Sequence, residues 1–434
     1  MNSVDRKPSR RDFMRNAVAA AGAVGGLTIL GATARGQAKK TFKIGLIGCG
    51  GRGRGAMVNS LDAGKHLGVS VTVAALCDLY PDRLAQARDL AKQRGSEVPD
   101  SRCFLGFHGY KKMMDTDVDV VLLATPPVFR PLHFEAAVKA GKHVFMEKPV
   151  CVDPAGGLRV IAAGEEGKKK GLGVVAGTQR RHQGTYLGAK KLVEDGKIGT
   201  IWGGVVYWCG SKSWAFPREK EWSDLEYITR NWINFVEMSG DHIIEQHVHN
   251  IDIMCWFMGG PPYLAVSFGG RARRKTGNCY DFFATDYWYE RGTIHITSAC
   301  RQINGAWSRV GEQLVGEKGY MKSGRIYLHP RERVKMPEFP GHHPNPYVQE
   351  HVALLDSIVK GKPLNEAYQV TESCLVGIMG RISAYTGQPV RWTDVSKPEG
   401  RFGKLALKPA PEDFETGKVQ VPPDDVIPLP GKET

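Results

Sequence analysis

The chain has 434 residues, 42% of them hydrophobic and 24% charged, and a formal net charge of +14 at pH 7. That length holds two or three domains with a sizeable core, and the ordinary composition, free of low-complexity tracts, excludes a disordered or fibrous protein. The positive charge does not point to nucleic acid: residues 1–38 carry six Lys or Arg against two Asp, the other +10 is dispersed, and no arginine-rich arm, helix-turn-helix or RRM signature is present.

An anionic ligand such as a pyrophosphate, or solubility alone, accounts for the surplus. Nine scattered cysteines contain no Cys-x-x-Cys pair, which argues against a zinc ribbon or a disulfide scaffold. Residues 1–38 read as a twin-arginine export signal rather than fold. Arg10-Arg11 is followed by the uncharged segment 16–34, with small-x-small sites at 32–34 and 36–38 for a signal peptidase. The segment is long enough to span a bilayer, so retention as an anchor is the alternative. Export by this route implies the twin-arginine machinery as a partner of the precursor and a periplasmic destination.

The fold begins at residue 41. A strand over 42–47 runs into Gly48-Cys49-Gly50-Gly51-Arg52-Gly53, the pattern G-x-G-x-x-G. Gly48 permits the tight turn, Gly50 lets backbone N–H groups approach a pyrophosphate, and Gly53 allows close helix-to-strand packing. A helix over 54–63 and a strand over 71–76 follow, the latter ending in Cys77-Asp78. An acidic residue there can bind both ribose hydroxyls of NAD and repels the 2′-phosphate of NADP, so NAD is expected over NADP. Cys49 and Cys77, at strand ends, read as small buried residues.

A helix over 83–93, a short strand near 103–105 and the run 118–123, apolar apart from Asp119, continue the alternation. The loop Ala124-Thr125-Pro126-Pro127 should line the crevice at a strand's carboxyl end, with His133 starting the next helix. A helix over 132–140 stops at Gly141, and 144–146 is another buried strand. It delivers Glu147, Lys148 and Pro149 to the same edge, where open α/β sheets bind their ligands.

Taken in order, the glycine turn, Thr125-Pro126, residues 140–144 and Glu147-Lys148-Pro149 resemble the Gfo/Idh/MocA oxidoreductase family. The likeness covers roughly residues 42–395. It implies an α/β protein with an N-terminal Rossmann domain (41–176), a doubly wound parallel sheet. A C-terminal α+β domain (177–395) would carry a large, mostly antiparallel open-faced sheet, often an oligomer interface, which implies a homodimer or homotetramer. Alternating strands are indeed indicated at 201–207, 265–268, 282–289, 293–298, 312–316 and 319–328, with helices at 347–359 and 367–385. Residues 396–434, rich in proline, read as an extended arm without a core of its own.

The turn 177–183 contains Arg180 and Arg181, which could reach sugar hydroxyls or a carboxylate; a solvated turn is the alternative. In 241–252, His242, Glu245, His249 and Asp252 are spaced three, four and three apart, which would align them on one helical face. That stripe could be a solvated face, a divalent-metal site or an acid/base array. It does not match H-E-x-x-H and has no cysteine at ligand spacing, so no metal is assigned. The family resemblance favours the acid/base array, since its Asp-x-x-x-His pattern falls on Glu245 and His249, with Glu in place of the usual Asp.

A free lysine is a poor base at neutral pH, but burial and nearby positive charge favour its neutral form. Lys148 is therefore expected as substrate-hydroxyl ligand and proton relay, His249 as principal acid/base, and Glu245 as a group orienting a polyol. A salt bridge with Glu147 is the alternative for Lys148. Trp208 or Trp214 could complete the substrate pocket. The leading expectation is an exported NAD(P)-dependent dehydrogenase of a sugar, glycoside or cyclitol that retains and recycles its cofactor. The resemblance also admits an NAD-dependent glycosidase working through transient C3 oxidation and elimination, and a non-catalytic ligand-binding protein.

Overall fold

The computed structural model describes residues 41–423, so the expected export signal lies outside the described residues. Strand β1 (Thr41–Ile47) alternates between exposed and buried positions, then becomes wholly buried as it enters the sheet. It is joined by β2 (Ser70–Asp78), β3 (Cys103–Leu105), β4 (Val120–Leu123), β5 (His143–Met146) and β6 (Val174–Ala176), in the order β3-β2-β1-β4-β5-β6. Every pairing is parallel. Strand order therefore reverses between β1 and β4, and a crevice opens beyond their carboxyl ends.

β4 is apolar and buried throughout because helices cover both faces of the sheet. On one face, helices Gly51–Leu67 and Pro346–Val359 enclose Phe42, Ile44 and Leu46; on the other, Arg130–Lys139 and Pro154–Lys169 enclose Leu123, Val144 and Met146. The parallel sheet ends with β6 at Ala176, and helix Pro346–Val359 supplies Val348, Val352, Leu354 and Leu355 to the core beneath it.

The second sheet holds β7 (Ile201–Gly210), β8 (Leu264–Gly270), β9 (Phe282–Tyr289), β10 (Ile294–Gln302), β11 (Arg309–Gly316), β12 (Gly319–Lys322), β13 (Arg325–Leu328), β14 (Glu332–Arg333) and β15 (Val390–Arg391). Their order is β14-β13-β12-β11-β7-β10-β9-β8-β15. All pairings are antiparallel except β7 with β10. The run 319–328 is a hairpin, not one strand, because Ser323 and Gly324 both turn through positive φ. Helix Ala367–Thr386 packs on one face of this sheet. On the other face Phe268, Ala284, Ala299 and Tyr207 stand in register across four strands, and Phe268 is 71% exposed.

Within residues 396–423 of the expected arm, Leu407, Phe414, Val419 and Val421 join Val128, Phe129 and Phe235 in one cluster, so this stretch packs on the rest of the fold. A short helix, Pro411–Glu415, forms within it.

Close approach at the glycine turn fixes the crevice. Gly48 has φ +97°, and a Cβ there would lie 2.6 Å from the Ala124 carbonyl carbon. A Cβ at Gly53 would sit 1.8 Å from the Gly48 oxygen, whereas one at Gly50 would meet nothing within 4 Å. Gly53→Ala is accordingly expected to cost roughly 1–3 kcal/mol in urea unfolding by overpacking. Gly50→Ala should stay within about 0.5 kcal/mol of the parent and yet weaken dinucleotide binding measured by calorimetric titration.

Candidate active site

A cavity of about 570 Å³ occupies the crevice, lined by Gly48, Gly50, Gly51, Arg52, Asp78, Thr125, Pro126 and His133 among others. Of the other two glycine-turn residues, Gly53 is hidden beneath the turn, and Cys49 buries its side chain while its N–H donates to Asp78 Oδ2 at 2.6 Å. The other Asp78 oxygen accepts from the Tyr80 N–H at 2.9 Å. Burial raises the Asp78 carboxyl above its ordinary value, against the pull of these N–H donors. No side chain caps the helix that starts at Gly51, so its N-terminal N–H groups face the open turn, a ready anion site. These residues fit NAD: a phosphate cradle at Gly50-Gly51 and a carboxylate at the end of β2 for ribose hydroxyls.

Behind the loop after β4, Arg130 donates to the Thr125 carbonyl at 2.8 Å. Burial holds His133 down at about 3, so its ring is neutral beside the cavity.

Arg52, Thr125 and Pro126 line the cavity, whereas Glu147 and Lys148 are not among its lining residues. Arg52 makes the connection, donating from Nε to Glu147 Oε1 at 2.6 Å. Lys148 does not pair with Glu147. Its Nζ donates to the carbonyl oxygen of Glu245 and, at 3.1 Å, to Glu245 Oε1. Both side chains are largely buried, 13% and 11% exposed, and Glu245 Oε2 is buried without a partner. His249 stacks on Trp208, ring centroids 5.5 Å apart. Burial first, then the charges of Lys148, Arg180 and Arg52, hold its imidazole well below the ordinary value. The structure thus gathers an amine, a carboxylate and a neutral imidazole beside the dinucleotide crevice.

The sequence matches two profiles of one family. Residues 42–174 fit "Oxidoreductase family, NAD-binding Rossmann fold" and residues 186–322 fit the GFO/IDH/MocA C-terminal domain. The chain belongs to the Gfo/Idh/MocA oxidoreductase family. An inositol 2-dehydrogenase of Acidothermus cellulolyticus is 30% identical over 163 residues, 37% of this chain and 42% of that protein. A glycosyl hydrolase family 109 protein of Solibacter usitatus is 35% identical over 151 residues, 33% of either chain. The chain therefore spans less than half the length of these curated relatives. Among solved structures, levoglucosan dehydrogenase in complex with NADH and levoglucosan has the same fold, with TM-score 0.64 and 16% identity over 82% of this chain and 100% of that one.

In this Gfo/Idh/MocA protein the stripe expected on one helical face is broken. Helix His242–Glu245 ends, and a second, Val248–Met258, starts after a displaced turn. Side chains in the turn hold it to β10: Gln302 Nε2 donates to Gln246 Oε1 at 2.9 Å, and His247 Nε2 lies 2.7 Å from Ser298 Oγ. His242 is buried in the core against Phe283, with Nδ1 3.5 Å from Asp241 Oδ1 and Nε2 without a hydrogen-bond partner. Arg181 and Asp252, expected at the substrate, bind each other: Arg181 Nε donates to both Asp252 oxygens at 2.9 Å, and Ser373 Oγ donates to Oδ1 at 2.8 Å. Arg180 pairs with buried Glu312 at 3.3 Å. Glu312 also accepts from Tyr186 and Asn250, a role no local motif announces. Among the described residues no group of three or more His, Cys, Asp or Glu could hold a metal ion.

Asp252→Ala would strand the Arg181 guanidinium in a buried site, and a loss of about 3–5 kcal/mol in chemical unfolding is expected. Protonation gives a second test. His133, His247, His249 and His351 are all held below the ordinary value by burial. Neutral in the fold, they gain protons on unfolding below about pH 6.5, so their stability contribution is full above that value and declines as pH falls. The carboxyls of Asp78, Asp153, Glu237, Glu350 and Glu372, raised chiefly by burial, act with the opposite sign. The imidazole contribution is therefore tested by itself: the loss of melting temperature between about pH 7.5 and about pH 5 should be smaller in His351→Gln than in the parent.

Proposed function

We propose that this protein is an exported, NAD-dependent dehydrogenase acting on a secondary alcohol of a sugar, glycoside or cyclitol, with NAD(H) held tightly and recycled in place. The observation that carries this reading is the Lys148–Glu245 unit with neutral His249 nearby, adjoining a crevice built for a dinucleotide. NAD bound there would accept the hydride from the carbinol carbon. Lysine has three N–H donors, and Glu245 engages two of those on Lys148, which leaves one to hold the substrate hydroxyl. Glu245 Oε2, buried and unpartnered, is available to a neighbouring hydroxyl. His249 would take the hydroxyl proton as the carbonyl forms, so that hydride and proton together account for the two electrons and two hydrogens lost by the alcohol.

Export is supported by Arg10-Arg11 and the uncharged segment after them. A homodimer or homotetramer is supported by the open sheet face bearing Phe268, Phe282 and Trp307, at 71%, 37% and 61% exposure. The Solibacter relative favours a second reading, glycoside cleavage with no net redox change. Incubation with NAD⁺, polyols, aldoses and aryl glycosides separates the two. A carbonyl product with NADH supports the dehydrogenase, and aglycone release without net NADH supports hydrolysis. Lys148→Ala and His249→Ala should each lower turnover by about 10²–10⁴, and unchanged turnover in both would refute the assignment.

A further inference from the structure

The cavity is not walled by the nucleotide domain alone. Trp214, Phe216, Thr229 and Trp232 come from the segment after β7, and Pro411 and Glu415 from the C-terminal arm. Trp214 and Phe216 are 46% and 45% exposed, yet their backbones are pinned. The Phe216 N–H donates to Asn231 Oδ1 at 2.8 Å, and Asn234 Nδ2 donates to the Trp214 carbonyl at 3.0 Å. Both asparagines are buried, at 0% and 3% exposure. Two large apolar side chains thus stand in the wall of the crevice on a backbone fixed by buried hydrogen bonds, a surface suited to a ligand with flat rings.

The arm is fastened to the same wall. Phe414, 1% exposed, packs between Phe107 and Phe129, at ring-centroid distances of 5.8 and 5.0 Å. Glu415 accepts from Tyr110 Oη at 2.8 Å and Lys111 Nζ at 2.9 Å. Phe107, Tyr110 and Phe129 themselves line the cavity. Farther back, the Leu407 N–H donates to Asp153 Oδ2 at 2.8 Å. Across the crevice, Tyr80 at the end of β2 is tied to Thr229 through their hydroxyls at 2.5 Å. These bonds join the nucleotide domain, the segment after β7 and the arm around one cavity.

We infer that the arm and the Trp214–Phe216 segment are a clasp that completes the dinucleotide site and sets the rate at which NAD(H) leaves. This rests on the reading that the cofactor is retained, and it names the parts that retain it. Departure of the dinucleotide requires the Phe414 contacts and the Glu415 hydrogen bonds to part. It does not require the Rossmann sheet to move.

The test uses the full chain loaded with NADH and diluted into excess NAD⁺, with the loss of bound-NADH fluorescence followed over time. Phe414→Ala removes the buried ring. Glu415→Ala removes only hydrogen bonds at the cavity rim and guards against a misfolded first variant, with melting temperature as the check. Each variant, and Trp214→Ala/Phe216→Ala, should release NADH at least about tenfold faster than the parent, the direction in which most affinity changes act. Slow parental release with every variant within about twofold of it would overturn the clasp alone. Parental release within seconds would overturn cofactor retention and the clasp together.

Discussion

The contact between Lys148 and Glu245 is the constraint on which the site depends. Lys148 stands at the end of β5 in the parallel sheet, and Glu245 ends a one-turn helix that packs near β10 of the other sheet. Each sheet has a hydrophobic reason to form, but neither has a reason of its own to bring an amine and a carboxylate together. Pairing two charges at this level of burial is not a strong source of stability, because desolvation offsets most of the attraction. Its consequence is positional. It holds an amine with one uncommitted N–H, and a carboxylate oxygen with no partner, at the edge of a dinucleotide crevice.

The break between helices His242–Glu245 and Val248–Met258 permits this arrangement. A continuous helix would have kept His242, Glu245, His249 and Asp252 on one face. The displaced turn, tied down through His247 and Gln246 to β10, separates them. Glu245 meets Lys148, His249 lies against Trp208, and Asp252 is turned to Arg181. One local irregularity therefore distributes four polar residues among the candidate site, a buried ion pair and a core position.

The parallel domain was legible in the sequence because its signals are local: a continuous apolar run for β4, largely apolar runs for β1 and β5, the glycine turn between strand and helix, and Asp78 at a strand end. The antiparallel sheet was legible from alternation, apart from the hairpin at Ser323-Gly324. What escaped were pairings set by distant chain. The Arg181–Asp252 and Arg180–Glu312 contacts span 71 and 132 positions, and no spacing rule relates such residues. The helix break depends on Ser298 and Gln302, more than fifty positions downstream, so a three-four-three spacing could not reveal it. The arm read as extended because its prolines are conspicuous, whereas Phe414 becomes informative only when Phe107 and Phe129 are known to leave a gap for it.

The charges around His249 come in pairs. Burial lowers the proton affinity of its imidazole most, and Lys148, Arg180 and Arg52 lower it further. Each of these cations carries a carboxylate of its own: Lys148 has Glu245, Arg52 has Glu147 and Arg180 has Glu312. Under the proposed function, negative charge developing on a substrate oxygen near Lys148 would offset those cations and raise the proton affinity of the ring. That is electrostatic preorganisation acting where charge appears, and it would let one imidazole accept the proton in oxidation and return it in reduction.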